Sequence, residues 1–229
     1  MPILSVIVPV YNEAGTIRQI IEKIRLVDIS KEIIVVDDGS SDDTDKILRD
    51  MRCSDLKIIH HGSNRGKGAA FLTGLTQASG DYIIVQDADL EYDPKDYLKL
   101  LGVSMTEKAD IVLGARFTEK YHGMLVPKLG NKLLTILLNT LFGVRLNDCF
   151  TCYKLMRRTS LLELSLNSNS FDIEIELISK AIKRNMVIRE TPISYTPRTY
   201  EDGKKIKICD GLWAIMRIFY FRFSKERSV

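Results

Sequence analysis

The run Ile3 to Tyr11, ILSVIVPVY, is too apolar to alternate between a wet face and a dry one, so it predicts a strand covered on both faces. Such a strand belongs in a parallel sheet lying between layers of helices. The chain then repeats the theme. Ile17, Ile20, Ile21 and Ile24 fall at helical spacing, Glu32 to Val36 is a second buried strand, and Asp43 to Arg52 reads as a helix capped by Ser40 and Ser41. A strand over Leu56 to His60, a helix over Lys67 to Ala78, a strand over Tyr82 to Gln86, a helix opened by Pro94 and a short strand over Ile111 to Leu113 follow. This order predicts an α/β fold: an open, doubly wound, mostly parallel sheet flanked by helices, with right-handed crossovers.

From about Pro127 the pattern changes. Leu133, Leu134, Leu137, Leu138 and Leu141 make a helical stripe, Tyr153 to Met156 a strand, and Asp172 to Arg184 a helix. Val187 to Tyr195 reads as an edge strand closed by Pro192 and Pro197, and a last helix runs from about Cys209 to Phe223. No repeat or low-complexity linker interrupts the 229 residues, so the expectation is one domain with two functional halves. A chain of this length buries enough apolar surface to fold without disulfides or structural metal. Cys53, Cys149, Cys152 and Cys209 lack zinc spacing and read as reduced thiols. No stretch approaches the roughly 18 apolar residues of a membrane span, and Met1 to Tyr11 lacks a basic leader, so the expected site of action is cytoplasmic. The net charge of +3 is uneven: from Lys183 onward 11 Lys and Arg face 5 Asp and Glu, which leaves the preceding body at −3. So small a charge, without an aromatic-interleaved basic stripe, excludes a nucleic-acid partner.

Ligands of open α/β sheets bind beyond the carboxyl ends of the strands. Here those ends are acidic: the first runs into Tyr11, Asn12 and Glu13, the second into Asp37 and Asp38, the fourth into Asp87, Ala88, Asp89, Leu90 and Glu91. Carboxylates gathered on one rim repel unless a cation or a donor-rich ligand compensates them. Mg2+ or Mn2+ carrying a phosphorylated ligand is the economical answer, with Asp38 suited to ribose or base contacts. Asp-x-Asp is also the composition of a simple turn. Gly62 to Gly68, GSNRGKG, is not a P-loop, because its glycine spacing is one short and Gly68 stands where Ser or Thr is required. It still offers a basic helix N-terminus where Lys67 meets either a phosphate or solvent.

PVYNE (Pro9 to Glu13), VVDDGSSDDT (Val35 to Thr44), NRGKGAA (Asn64 to Ala70) and QDADLEYDP (Gln86 to Pro94), in this order, resemble family 2 glycosyltransferases of the GT-A fold, with its mixed sheet and Rossmann-like nucleotide-binding half. GARF (Gly114 to Phe117), DCFTCYKLMRR (Asp148 to Arg158), FDIEIEL (Phe171 to Leu177) and PISYTPRTYEDGKKI (Pro192 to Ile206) resemble the dolichyl- or polyprenyl-phosphate sugar synthases. The resemblance implies a donor and metal half over residues 1–117, an acceptor half over 118–207 and a terminal amphipathic helix over 208–229. It implies that Pro9, Tyr11, Glu13 and Asp38 hold the nucleoside of a GDP-mannose or UDP-glucose type donor, with Lys67, Asp87 and Ala88 beside them. Asp87, Asp89 and Glu91 would hold the metal, Glu91 standing where relatives often have Gln. Arg116, Arg198 and Lys204 match the acceptor-phosphate positions.

Charge then dictates the chemistry. Breaking the bond from the anomeric carbon to the diphosphate builds negative charge that a metal at Asp89 stabilises, and one in-line displacement inverts the centre. A polyprenyl or dolichyl phosphate acceptor is already anionic and needs positive clamps; a hydroxyl acceptor would need a base, for which Asp148 is the candidate. Transfer to a hydroxyl and a non-catalytic nucleotide-sugar-binding module are the alternative readings. The final helix carries Leu212, Trp213, Met216, Phe219, Tyr220 and Phe223 with Arg217 and Arg222 among them, a pattern that suits an anionic membrane surface. The expectation is a peripheral protein at the inner face of a membrane, held there by that surface or by a membrane-anchoring subunit.

Overall fold

Leu4–Val10 forms β1, and Leu4, Val6, Ile7 and Val8 are fully buried, so the strand is covered on both faces as its composition requires. The computed structural model describes residues 2–51, 54–116, 125–198 and 208–224. Among these, β1 lies between β2 (Lys31–Asp37) and β4 (Tyr82–Val85), and β3 (Leu56–His60) pairs outside β2. Beyond β4 come β6 (Lys154–Arg157), β5 (Ile111–Ala115) and β7 (Ile188–Pro192), giving the order β3-β2-β1-β4-β6-β5-β7. β7 is the edge strand that its prolines predict.

Four of the pairings are parallel, but β6 runs antiparallel to both β4 and β5. The sheet is therefore mixed. Four residues of strand carry no sign of their direction, which is set by how the chain returns after β5.

The helices are α1 (Ile17–Arg25), α2 (Thr44–Asp50), α3 (Lys67–Gln77), α4 (Tyr97–Thr106, entered through a 3-10 turn over Pro94–Asp96), α5 (Leu125–Phe142), α6 (Arg158–Glu163), α7 (Ile173–Lys183) and α8 (Ile208–Phe223). The four isoleucines of α1 are all buried. In α3 a Cβ on Gly74 would stand 2.5 Å from Ile7 Cγ2, so only glycine lets this helix backbone lie directly on β1. The short α6 has no periodic signature and was not anticipated. Nor do Ser40 and Ser41 cap α2: Asp43 holds the cap position without a side-chain bond, while Ser40 Oγ accepts from the Asn12 amide. That hydrogen bond ties the loop after β2 to the loop after β1.

Candidate active site

The ends of β1, β2 and β4 meet on one rim. Ile7 and Val85 are the last partners of β1 and β4, and the Gln86 amide donates to Ile7 O. Residues of a parallel strand alternate the side to which they present their peptide groups, so Pro9, two places after Ile7, faces the β4 side beyond that partner's end. Its missing N–H therefore breaks no ladder bond. Asn12 then turns the chain at φ 54° and accepts the Ser41 amide, while the Glu13 amide donates to Thr44 Oγ1. Tyr11 is exposed just past the strand.

Asp38 is buried. Its carboxylate accepts the Arg65 and Gly66 amides at 3.0 and 2.8 Å and faces His61 Nδ1 at 2.6 Å. The side chain expected at the ribose thus fastens the glycine-rich loop. Gly68 serves close approach as well: a Cβ there would stand 2.3 Å from Ser168 O, and the Ala69 amide donates to Asn169 O. The start of α3 is covered by residues 168–170, so its glycines admit a neighbouring backbone instead of cradling a phosphate.

Lys67 turns to protein anions. Its Nζ lies 2.7 Å from Asp87 and 3.4 Å from Glu174 on α7, and Glu174 also holds the fully buried Lys154 of β6. Two ammonium and two carboxylate groups thus close a compensated cluster. Burial would raise the Asp87 carboxyl, but the Lys67 ammonium and its hydrogen bond outweigh it and hold the group below its ordinary value. Below this cluster Tyr97 and Tyr153 both donate to Gln86 Oε1, at 2.6 and 2.5 Å, and set the end of β4.

Asp89 contrasts with Asp87. Among the described residues its carboxylate receives only the Glu91 amide, at 3.1 Å. Burial, then the charges of Asp87 and Glu91, push it up to about 7, against the pull of the Glu91 amide and Arg198. Leu90 beside it sits at φ 63°, a left-handed conformation that a bulky residue holds only when its surroundings over-determine it. A hard oxygen with surplus negative charge fits a Mg2+ or Mn2+ ion, which uses one or two carboxylates and fills its shell with phosphate and water. Glu91 points elsewhere: Tyr195 OH and the Arg198 amide each donate to it at 2.8 Å. The described residues bring one group of three metal-type ligand atoms within 4.8 Å of one another, and it is Asp37, Asp45 and His60, not the Asp87–Glu91 loop.

Arg198 joins the ends of β1 and β4. Its Nε donates to Asp89 O, its two terminal nitrogens to Glu13 at 3.3 and 2.9 Å, and one also reaches Thr16 Oγ1. Arg116 and Asp148 form a second buried pair, Nε to Oδ2 at 2.7 Å and Nη2 to Oδ1 at 2.8 Å. Asp148 is 1% exposed and also accepts the Arg116 amide, so the candidate base has both oxygens engaged and no open approach. Its work in this geometry is to hold Arg116, whose guanidinium lies 5.3 Å from the Tyr195 ring. Ala88 is buried beneath the rim. Lys204 lies outside the described residues.

Sequence reasoning missed Lys154, Glu174, Gln86 and Tyr195. A lone lysine in the strand Tyr153 to Met156 was a usable signal, since a cation there needs a buried partner. The other three carried none.

The family model described as glycosyl transferase family 2 matches residues 5–165. The chain is 32% identical over 207 residues to the low-salt glycan biosynthesis hexosyltransferase Agl6 of Haloferax volcanii, covering 87% of this chain and 49% of Agl6. It therefore spans about half the length of that relative. It is 27% identical over 209 residues to polyprenol monophosphomannose synthase of Mycolicibacterium smegmatis, covering 84% of this chain and 77% of that one. In fold it matches glucosyl-3-phosphoglycerate synthase from Mycobacterium tuberculosis, solved with Mn2+, UDP and glucosyl-3-phosphoglycerate, at a TM-score of 0.74 and 24% identity over 96% of this chain and 80% of that chain.

Proposed function

We propose a reaction for this chain on one premise: it belongs to glycosyl transferase family 2. The reaction is transfer of a hexose from a nucleoside-diphosphate sugar, of the GDP-mannose or UDP-glucose type, to a polyprenyl phosphate at a membrane surface. The observation that carries it is Asp89, whose carboxylate forms no ion pair among the described residues, on a rim where Asp87 and Glu13 are each paired with a cation. A divalent cation held by Asp89 would offset the charge that grows on the departing diphosphate. Pro9, Tyr11 and the loops fastened by Asn12 and Asp38 would hold the nucleoside. Lys67 keeps Asp87 ionised and in place beside the diphosphate.

An acceptor phosphate oxygen attacks the anomeric carbon as the diphosphate leaves with its bonding electron pair, and the centre inverts. No proton has to be removed from such an acceptor, which agrees with the engagement of Asp148 by Arg116. Arg116 and Arg198, held here by Asp148 and Glu13, are the guanidinium groups that an acceptor phosphate would meet on this side of the rim. The name of the mycobacterial relative, a polyprenol monophosphomannose synthase, supports the acceptor class. So does the apolar surface of the helices after β5: Leu129, Leu133 and Ile136 on α5 and Leu212, Met216 and Phe223 on α8 are at least half exposed. No helix among the described residues is long and apolar enough to cross a membrane, so these faces would meet the bilayer from its surface.

The test is a transfer assay with radiolabelled UDP-glucose and GDP-mannose, Mn2+ and undecaprenyl phosphate. Label entering the organic phase is the expected result. Label that accumulates only on aqueous glycans sinks the acceptor assignment.

A further inference from the structure

We propose that Glu91 is a positioning residue: it registers segment 195–198 across the loop that carries Asp87 and Asp89, and it is not a ligand of the metal. The inference rests on the reading above for the identity of the two sides that it joins. Three bonds converge on this one residue from a segment more than a hundred positions away in sequence. The Tyr195 hydroxyl and the Arg198 amide donate to its two carboxylate oxygens, each at 2.8 Å, and the Thr196 amide donates to its backbone oxygen at 2.9 Å. Each carboxylate oxygen thus has its own donor, a use that needs two acceptors and that an amide side chain, with one, meets only in part.

The neighbourhood supports the same reading. Tyr92 and Tyr195 form an antiparallel bridge, with ring centroids 5.2 Å apart. The Arg116 guanidinium lies 5.3 Å from the Tyr195 ring, and Arg198 Nε closes the arrangement on Asp89 O. The left-handed turn at Leu90 separates Asp89 from Glu91 and lets two neighbouring carboxylates address different partners. Asp89 is left with a single amide donor, while Glu91 is spent on the segment.

The experiment uses the full chain and its Glu91→Ala, Glu91→Gln and Tyr195→Phe variants. Hydrogen exchange reads the Thr196 and Arg198 amides. The EPR signal of free Mn2+, measured with UDP and with GDP, reads metal affinity, and transfer to undecaprenyl phosphate gives KM and kcat. Glu91→Ala is expected to speed exchange of the two amides by about tenfold or more: the Arg198 amide loses its acceptor, and the Thr196 bond, whose backbone acceptor remains, opens more often once the two carboxylate bonds that hold the segment are gone. It raises KM for the lipid phosphate by about tenfold with a smaller change in kcat, and Mn2+ affinity stays within about threefold because the metal site is independent. Tyr195→Phe moves exchange and KM the same way by less, and Glu91→Gln recovers part of both.

Mn2+ affinity that falls tenfold or more in Glu91→Ala, with exchange of the segment unchanged, makes Glu91 a metal ligand and overturns the proposal. If Glu91→Ala does not fold, unchanged exchange at Thr196 in Tyr195→Phe overturns it equally. Exchange and Mn2+ readouts need no acceptor. Failure of the wild-type chain to glycosylate the lipid, with those two effects intact, therefore strikes the acceptor assignment alone.

Discussion

The rim at the ends of β1, β2 and β4 and the ridge made by α5 and α8 differ in what they leave unmet. On the rim nearly every charge has its partner: Glu13 meets Arg198, Asp87 meets Lys67, and Asp148 meets Arg116. On the ridge apolar side chains stand open, Leu212 at 64% and Phe223 at 71% exposure. A compensated polar region draws attention to a group without an ion pair among the described residues, Asp89. An uncompensated apolar region shows its function by its whole face, because apolar area is worth burying wherever it is found.

The largest effect should come from unbalancing the rim. Arg116→Met strands Asp148 in a site 1% exposed, and loss of one partner of a buried pair costs about 3–5 kcal/mol. Denaturant unfolding measures it, and a loss below 1 kcal/mol would mean that water reaches Asp148 and that the rim is not compensated as described. Asp148→Leu in the Arg116→Met background should restore much of the loss, since an apolar pair of similar shape leaves no charge unpaired.

Asp89 is expected to behave in the opposite sense. Its carboxyl is pushed up to about 7, above the unfolded value, so the folded chain binds the extra proton. Metal-free stability then falls as pH rises from the unfolded value toward 7, and stays reduced above it. Asp89→Asn should raise the Tm of the metal-free protein at pH 8, by an amount that shrinks as the pH is lowered toward 4. Mn2+ with a nucleoside diphosphate should raise the Tm of the parent chain and not of the variant. A variant less stable than the parent at pH 8 would show that Asp89 is already satisfied.

The smallest effect on folding should come from the ridge. Replacing Leu133, Leu212 and Met216 by Ser removes only exposed contacts, and each change should stay within about 0.5 kcal/mol. Flotation with anionic vesicles should nevertheless be lost. Retained flotation would move membrane contact away from this face and reduce the contrast between the two regions to one of composition.

The sheet was readable because burial on two faces leaves a local mark. Ile3 to Tyr11 and Glu32 to Val36 are apolar at every buried position but Ser5, and α1 shows its isoleucines at helical spacing. The antiparallel direction of β6 left no mark. The acidic strand ends were readable too, as was the failure of GSNRGKG to be a P-loop. The partners of those acids were not readable: Arg116 and Asp148 are 32 positions apart, and Arg198 and Glu13 are 185 apart. Nor were the partners of Glu91 readable: it stands where relatives often have Gln, and beyond the left-handed turn at Leu90 it accepts from the Tyr195 hydroxyl and the Arg198 amide.

By itself, then, the sequence determined the kinds of element, the family they belong to and the rim on which the carboxylates gather, because hydrophobic periodicity and short motifs are properties of neighbouring residues. Only the tertiary structure decided which carboxylate has no ion pair among the described residues, which arginine is already engaged and which glutamate accepts from Tyr195 and Arg198. Electrostatic compensation depends on every charge within a few ångströms, and most of those charges come from distant parts of the chain.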